Sequence, residues 1–176
     1  MHELKAEYKE NGCGVEMEGD NPYLLLNLEM YCNCNGLKGL SHCDFVYVFL
    51  KGEEFQIFIV ELKDMGELMK DDLESILDDI VDNKFPQTRN SILPRVLEFL
   101  NARRNTKFYG VLVLPLHQDE KLDRVYALLS RFKSKFVALK RKGFNDAWIA
   151  PCGGNIWNRV TTCWNPFQQT EPNASS

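Results

Sequence analysis

The sequence predicts an α/β domain in which helices flank a mixed central β-sheet. Three features support this fold class: strand-length runs rich in aromatic and β-branched residues, segments with apolar residues at helical spacing, and the alternation of the two along the chain. Strands joined by a hairpin pair antiparallel, whereas strands joined by a crossover helix pair in parallel, so this order implies a mixed sheet covered on both faces. A chain of 176 residues is long enough for one such domain.

The elements are predicted in the order helix, three strands, helices, strand, helix, strand. Gly12 is expected to end the first helix, and Pro115 is expected to end the strand predicted over residues 107–114. The predicted elements are a helix over residues 2–11, strands over 23–31, 44–50 and 55–62, helices over 73–81 and from about 90, a strand over 107–114, a helix from 119 to about 139, and a strand over 146–150. Residues 1–165 form the predicted domain, and residues 166–176 are a polar tail.

The two strands around Lys51-Gly52-Glu53-Glu54 form a predicted hairpin whose register can be worked out. If the turn is centred between Gly52 and Glu53, facing residues have numbers that sum to 105. Asp44 then lies opposite Glu61, with Cβ atoms about 5 Å apart. Lys63 is two residues after Glu61 and so leaves the same face of the strand. Three charged side chains are therefore predicted to converge at one end of an apolar hairpin.

This combination of residues suits hydrolysis of a phosphodiester. Two neighbouring carboxylates repel each other unless a cation lies between them, and hard oxygen ligands favour Mg²⁺ or Mn²⁺. Such a metal lowers the pKa of a bound water, and a lysine beside it stabilises the developing negative charge. The alternative is a surface ion pair of Lys63 with Asp44 or Glu61, which would contribute about 0–1 kcal/mol to stability.

Asp44, followed seventeen residues later by Glu61-Leu62-Lys63 at a strand end, resembles the PD-(D/E)xK superfamily of restriction-endonuclease-like nucleases. The resemblance implies a core of helix, three strands, helix and strand. It also implies that Asp44 and Glu61 bind Mg²⁺ or Mn²⁺, that Lys63 assists the attacking water, and that the substrate is nucleic acid, most naturally DNA. Members commonly act as dimers, so the resemblance also suggests a homodimer.

Two further positions follow from the same resemblance. Many members carry an acidic residue on the first helix, for which Glu7 is the preferred candidate over Glu3 and Glu10, and some carry a glutamine on the later helix, for which Gln87 is the candidate. Cys43 stands where the superfamily has its nominal proline. The alternative function, from another class, is a non-catalytic module on a nuclease-like fold that binds nucleic acid or protein.

Charge is distributed unevenly around a formal net charge of −4. The segment 64–82 holds eight acidic residues and one lysine, and the segment 121–142 holds eight basic residues and one aspartate. This pattern fits either two solvated helix faces of opposite sign or a basic helix that follows a phosphate backbone. In the second case Arg131, Lys135 and Arg141-Lys142, which lie away from the predicted apolar stripe, are the candidate phosphate contacts.

The six cysteines leave three alternatives open. Cys13, Cys32, Cys34 and Cys43 could converge on a structural zinc, form disulfides, or pack as plain thiols. Our hypothesis is that Cys32 or Cys34 pins the loop that leads to Asp44, with Cys13 as the distant partner. No apolar run is long enough to span a membrane and the first residues lack the apolar core of a signal peptide, which predicts a cytoplasmic protein.

Overall fold

The structure is a computed structural model that describes residues 4–7, 14–17, 22–63, 73–102, 105–114, 122–154 and 156. Seven strands, five α-helices and two π-helical segments lie in these ranges. The strands are β1 (Leu4–Glu7), β2 (Gly14–Met17), β3 (Pro22–Asn27), β4 (Phe45–Lys51), β5 (Glu54–Leu62), β6 (Thr106–Leu114) and β7 (Asp146–Pro151). The α-helices are α1 (Leu28–Cys34), α2 (Leu73–Asp78), α3 (Phe85–Gln87), α4 (Leu93–Phe99) and α5 (Leu122–Arg141).

The central sheet is mixed, as predicted, and has the strand order β3-β4-β5-β6-β7. The first three strands pair antiparallel, and β6 and β7 then add in parallel. The parallel pairing follows from connectivity, because helical segments separate β5 from β6 and β6 from β7. Strands β1 and β2 form a separate antiparallel hairpin.

Both faces of the sheet are buried, which explains why its central strands are nearly continuous apolar runs. On β4 and β5 the residues alternate between two core clusters, with Val46, Val48, Ile57 and Ile59 on the face that packs against the helices. The opposite face carries an aromatic cluster that includes Tyr47, Phe58 and Trp148. The indole of Trp148 donates to the carbonyl of Ile156 at 2.9 Å, so this tryptophan is a core residue.

Residues 73–99 form one continuous helical run (the 73–99 run), in which π-helical segments connect α2, α3 and α4. These segments are Asp79–Lys84 and Thr88–Ile92, and each one precedes a short α-helix with proline near its start. Proline lacks the N–H that an α-helix needs at that point, and the wider π turns let the chain continue without it. The helix predicted to start near residue 90 is present as α4 with Pro94 in its first turn, but it continues the helical run from residue 73 and does not start separately.

Two predicted elements were wrong in type or extent. The helix predicted over residues 2–11 is contradicted at residues 4–7, which form β1 and pair with β2 from Leu4 opposite Met17. Alternation of Leu4 and Ala6 with polar neighbours fits a strand as well as a helix, and β2 supplies the partner. The strand predicted over 23–31 ends at Asn27, whose side-chain oxygen accepts the amide of Met30 at 3.0 Å and caps α1.

The hairpin, the buried strand near 107–114, the last strand and the long helix are confirmed as β4–β5, β6, β7 and α5. Phe132 and Leu139 of α5 are fully buried, as the apolar stripe predicted. Within the described residues, no helix is both long enough and apolar enough to cross a membrane.

Candidate active site

The hairpin has the register that the sequence predicted. Its pairs run from Phe45 opposite Val60 to Lys51 opposite Glu54, and every pair sums to 105. Gly52 begins the turn with a φ of 63°, a conformation that glycine adopts without steric cost. The strands therefore meet at the correct offset to bring Asp44 to Glu61.

Asp44 is fixed against the end of β5 by two hydrogen bonds that flank Glu61. Its amide donates to the carbonyl of Val60 at 3.1 Å, and its Oδ2 accepts the amide of Leu62 at 2.7 Å. In the second bond the side-chain carboxylate of Asp44 accepts the Leu62 amide, whereas in a regular strand pair a backbone carbonyl would accept it. Asp44 is thus a rigid part of the sheet edge and not a freely rotating surface carboxylate.

Glu61 is fully buried, at 0% exposure. It shares the parity of Ile57 and Ile59 along β5 and therefore lies on the face that packs against the helices. A buried carboxylate is costly unless it is paired. The structure supplies two partners, because Glu61 Oε1 lies 2.6 Å from the Nζ of Lys84 and 3.3 Å from the Nζ of Lys63.

Lys63 lies where β5 ends, as predicted, and its amide donates to the carbonyl of Val113 on β6 at 3.1 Å. Asp44, Glu61 and Lys63 are thus brought together at one end of the hairpin. The surface ion-pair alternative does not describe this cluster, since Glu61 is completely inaccessible to solvent.

Lys84 is a member of the cluster that the sequence reasoning missed. It is the last residue of the π-helical segment Asp79–Lys84, on the face that packs over β5. One signal could have identified it. Lys84 lies three and four residues after the buried Val81 and Ile80, so helical spacing already placed a lysine on the core side of this helix.

Burial dominates the electrostatics of the site. Burial and, to a smaller extent, the neighbouring Asp44 charge together raise the pKa of Glu61 to about 7, against the opposing effect of Lys84 and Lys63. Burial also raises the pKa of Asp44, while the Leu62 amide and the two lysines act in the other direction. For Lys84 burial acts to lower the pKa, but the contact with Glu61 outweighs it and the pKa is raised.

The 73–99 run also holds the loop that precedes Asp44. The amide of Ser41 donates to Gln87 Oε1 at 2.9 Å, and the amide of Cys43 donates to the hydroxyl of Thr88 at 3.0 Å. Gln87, predicted as a site residue, thus contacts the loop beside the carboxylates.

His42 forms a 2.8 Å contact from Nδ1 to the carbonyl of Cys43, which fits a polar residue at the strand entrance.

The carboxylate oxygens at this site are of the kind that a divalent cation such as Mg²⁺ prefers as ligands. Glu61 Oε2 is buried and has no hydrogen-bond partner, so the bonding capacity of this carboxylate oxygen is unused. Among the residues that the structure describes, no group of three or more potential metal-ligating side chains converges. Two carboxylates with several waters are nevertheless the typical protein contribution to a Mg²⁺ site, because this ion dehydrates reluctantly.

Several predicted positions have other environments. Three of the four basic residues proposed for phosphate contact form ion pairs with the acidic helical segment: Arg131 with Glu74 at 3.4 Å, Lys135 with Asp78, and Lys142 with Asp82 at 2.6 Å. The two charged segments therefore neutralise each other in part, which neither original interpretation anticipated. The side chain of Glu7, and residues Glu3, Glu10, Cys13 and 166–176, lie outside what the structure describes.

The described cysteines correct the hypothesis of a covalently pinned loop. Cys32, Cys34 and Cys43 are free thiols, so none of them forms the predicted disulfide. Cys32 and Cys43 are buried, and Cys43 packs in the helix-side core, where burial raises its pKa well above the usual range. The loop before Asp44 is held instead by the Gln87 and Thr88 hydrogen bonds. Among the described cysteines, only Cys152 is disulfide-bonded.

No family model, no curated protein and no solved structure matches this chain. The geometry of the site is therefore the basis on which a function is assigned.

Proposed function

We propose that this protein is a metal-dependent nuclease of the PD-(D/E)xK type that hydrolyses phosphodiester bonds, with DNA as its substrate. The observation that carries the proposal is the convergence of Asp44, Glu61 and Lys63 at one end of the β4–β5 hairpin. A buried carboxylate with an unpartnered oxygen beside a second carboxylate is an arrangement that a cation would stabilise.

The fold is consistent with the core expected for a restriction-endonuclease-like protein. Three antiparallel strands, a helical run and a parallel strand follow in the expected order from β3 to β6. The expected leading helix is not present at residues 4–7, where the chain forms β1. The described residues of the site lie in or directly beside β4, β5 and the 73–99 run, and none of them belongs to β1.

Each residue has a distinct role in the proposed reaction. Asp44 and Glu61 would hold Mg²⁺ or Mn²⁺, which when bound lowers the pKa of a coordinated water and neutralises phosphate charge. The Leu62 amide orients Asp44 by donating to its Oδ2. The ammonium group of Lys63, beside Glu61 and partly exposed, is placed to stabilise the negative charge that grows on the phosphate as water adds and the ester oxygen leaves.

Cleavage assays test the proposal directly. Purified protein is incubated with plasmid, linear and branched DNA, and with RNA, in Mg²⁺, Mn²⁺ or EDTA. We expect metal-dependent cleavage that falls by about 100-fold or more in Asp44→Asn and in Lys63→Met, the scale seen when one electrostatic stabiliser is removed. Lys107→Met is the matched control, because Lys107 pairs with Glu54 at the opposite end of β5. Cleavage that survives EDTA or both substitutions would refute the assignment.

A second candidate is a non-catalytic module on the same fold that binds nucleic acid or protein. The observation that favours it is the pair of lysines on Glu61 Oε1, which neutralises the carboxylate without any metal. This module would bind its partner equally well with Glu61→Gln and would cleave no substrate in any metal. A filter-binding assay beside the cleavage assay separates the two functions.

A further inference from the structure

Lys84 makes a closer contact with Glu61 than Lys63 does. Its Nζ lies 2.6 Å from Glu61 Oε1, whereas the Nζ of Lys63 lies 3.3 Å from the same oxygen. The two lysines come from different elements, because Lys63 follows β5 and Lys84 ends a π-helical segment of the 73–99 run. The Lys84 side chain is 21% exposed, so this ion pair is largely removed from solvent.

Among the residues that the structure describes, this cluster has as many carboxylates as ammonium groups. Asp44 and Glu61 contribute two negative charges, and Lys63 and Lys84 contribute two positive charges. Glu61 has one oxygen free of hydrogen bonds, Oε2. A divalent cation on that oxygen would share a single carboxylate group with the Lys84 ammonium. Two positive charges at that separation repel each other strongly in a site with little water. Lys84 and a metal ion therefore compete for Glu61.

On the basis of the proposed metal-dependent nuclease, we propose that Lys84 is a resident counter-ion that competes with the divalent cation for Glu61 and limits how tightly the cation binds. Without metal, Lys84 keeps the buried carboxylate neutralised and the helical run docked on β5. With metal, the same contact is weakened. Lys84 is thus a positioning residue that acts on the metal site through Glu61.

Metal affinity distinguishes this role from simple structural support. Binding of Mn²⁺ is measured by isothermal titration and by electron paramagnetic resonance in wild type, Lys84→Met and Lys107→Met. We expect Lys84→Met to bind Mn²⁺ about tenfold more tightly than wild type, which is about 1.4 kcal/mol. Lys107→Met removes a lysine–glutamate pair from the other end of β5 and should bind as wild type does. Binding by Lys84→Met that is no tighter than wild type would overturn the proposal.

A second measurement uses the unmodified protein and so does not depend on the variant folding. Lysine acetylation is followed residue by residue by mass spectrometry, in EDTA and in saturating Mn²⁺. We expect labelling of Lys84 to rise severalfold with Mn²⁺, while labelling of Lys107 stays constant. Unchanged labelling of Lys84 would contradict the competition.

The failure of this inference is distinguishable from the failure of the proposed function. Wild-type binding of Mn²⁺ without tightening in Lys84→Met refutes only the role of Lys84. Binding by Lys84→Met alone supports that role, since it shows that the lysine excludes the cation. If neither protein binds Mn²⁺, both the competition and the metal-dependent function are wrong.

Discussion

The buried carboxylate of Glu61 should make the protein less stable as the pH rises from about 4 to 8. Burial raises the pKa of Glu61 from 4.5 to about 7 in the folded protein. Below pH 4.5 the group is protonated in both the folded and the unfolded states, and burial costs nothing electrostatically. Above pH 7 it is ionised in both, and the folded state bears the full cost of holding the charge.

The magnitude follows from the size of the shift. Each pKa unit corresponds to about 1.4 kcal/mol, so a rise from 4.5 to about 7 removes about 3 kcal/mol of unfolding free energy between those limits. Glu61→Gln replaces the titrating carboxyl group with an amide that does not ionise. The difference in unfolding free energy, wild type minus variant, should therefore become about 3 kcal/mol more negative between pH 4 and pH 8. The variant also loses the ion pairs of Glu61 with the two lysines, and this shift does not depend on a titration at residue 61, which the variant lacks.

Urea denaturation at closely spaced pH values, in EDTA, measures this difference, with the buried Trp148 as the fluorescence reporter. Glu54→Gln is the matched control at the opposite end of β5. Hydrogen bonds from Gln56 and Lys107 lower the pKa of Glu54, so its contribution has the opposite sign and is lost as the pH falls. If the Glu61→Gln difference is flat with pH, or slopes as the control does, the account of a desolvated carboxylate is wrong.

Three further substitutions test how the site is supported. Phe85→Ala empties a fully buried ring position below the sheet and should cost about 3–5 kcal/mol in a denaturant titration. Thr88→Val leaves the amide of Cys43 without its acceptor and should cost about 1–3 kcal/mol, together with a loss of cleavage because the neighbouring Asp44 shifts. Lys142→Ala breaks a largely exposed pair with Asp82 and should change thermal stability by less than about 1 kcal/mol, an effect that 1 M NaCl removes.

The parts of the site that lie close together in sequence were predictable. The turn at Gly52 and the alternation of apolar residues set the β4–β5 register, and that register determines which residues face Asp44. Glu61 and Lys63 are then placed on the same face, because side chains two residues apart on a strand point to the same side. These steps depend only on local backbone geometry, which a single sequence encodes well.

The parts that depend on tertiary packing were not predictable in the same way. Lys84 reaches Glu61 across 23 residues, and its position depends on the π-helical segment that carries it over β5. Helix α1 was hidden inside an apolar run, because the capping role of Asn27 competes with a strand pattern that continues through it. The cysteines gave no usable signal, since free thiols, disulfides and metal ligands have the same residue type at the same spacing.

The opposite charges of the two helical segments have a consequence for where a phosphate could bind. Three ion pairs show that the acidic segment packs alongside α5 and the residue that follows it: Glu74 with Arg131, Asp78 with Lys135, and Asp82 with Lys142. Arg131, Lys135 and Lys142 are already partly neutralised by these pairs, so they carry less free positive charge than the sequence alone suggests. Positive charge at the proposed active site comes from Lys63 and Lys84 instead, and both are held there by the carboxylate of Glu61. Glu61, the carboxylate that a metal would bind, is therefore also the residue that positions Lys63 and Lys84 at the proposed active site.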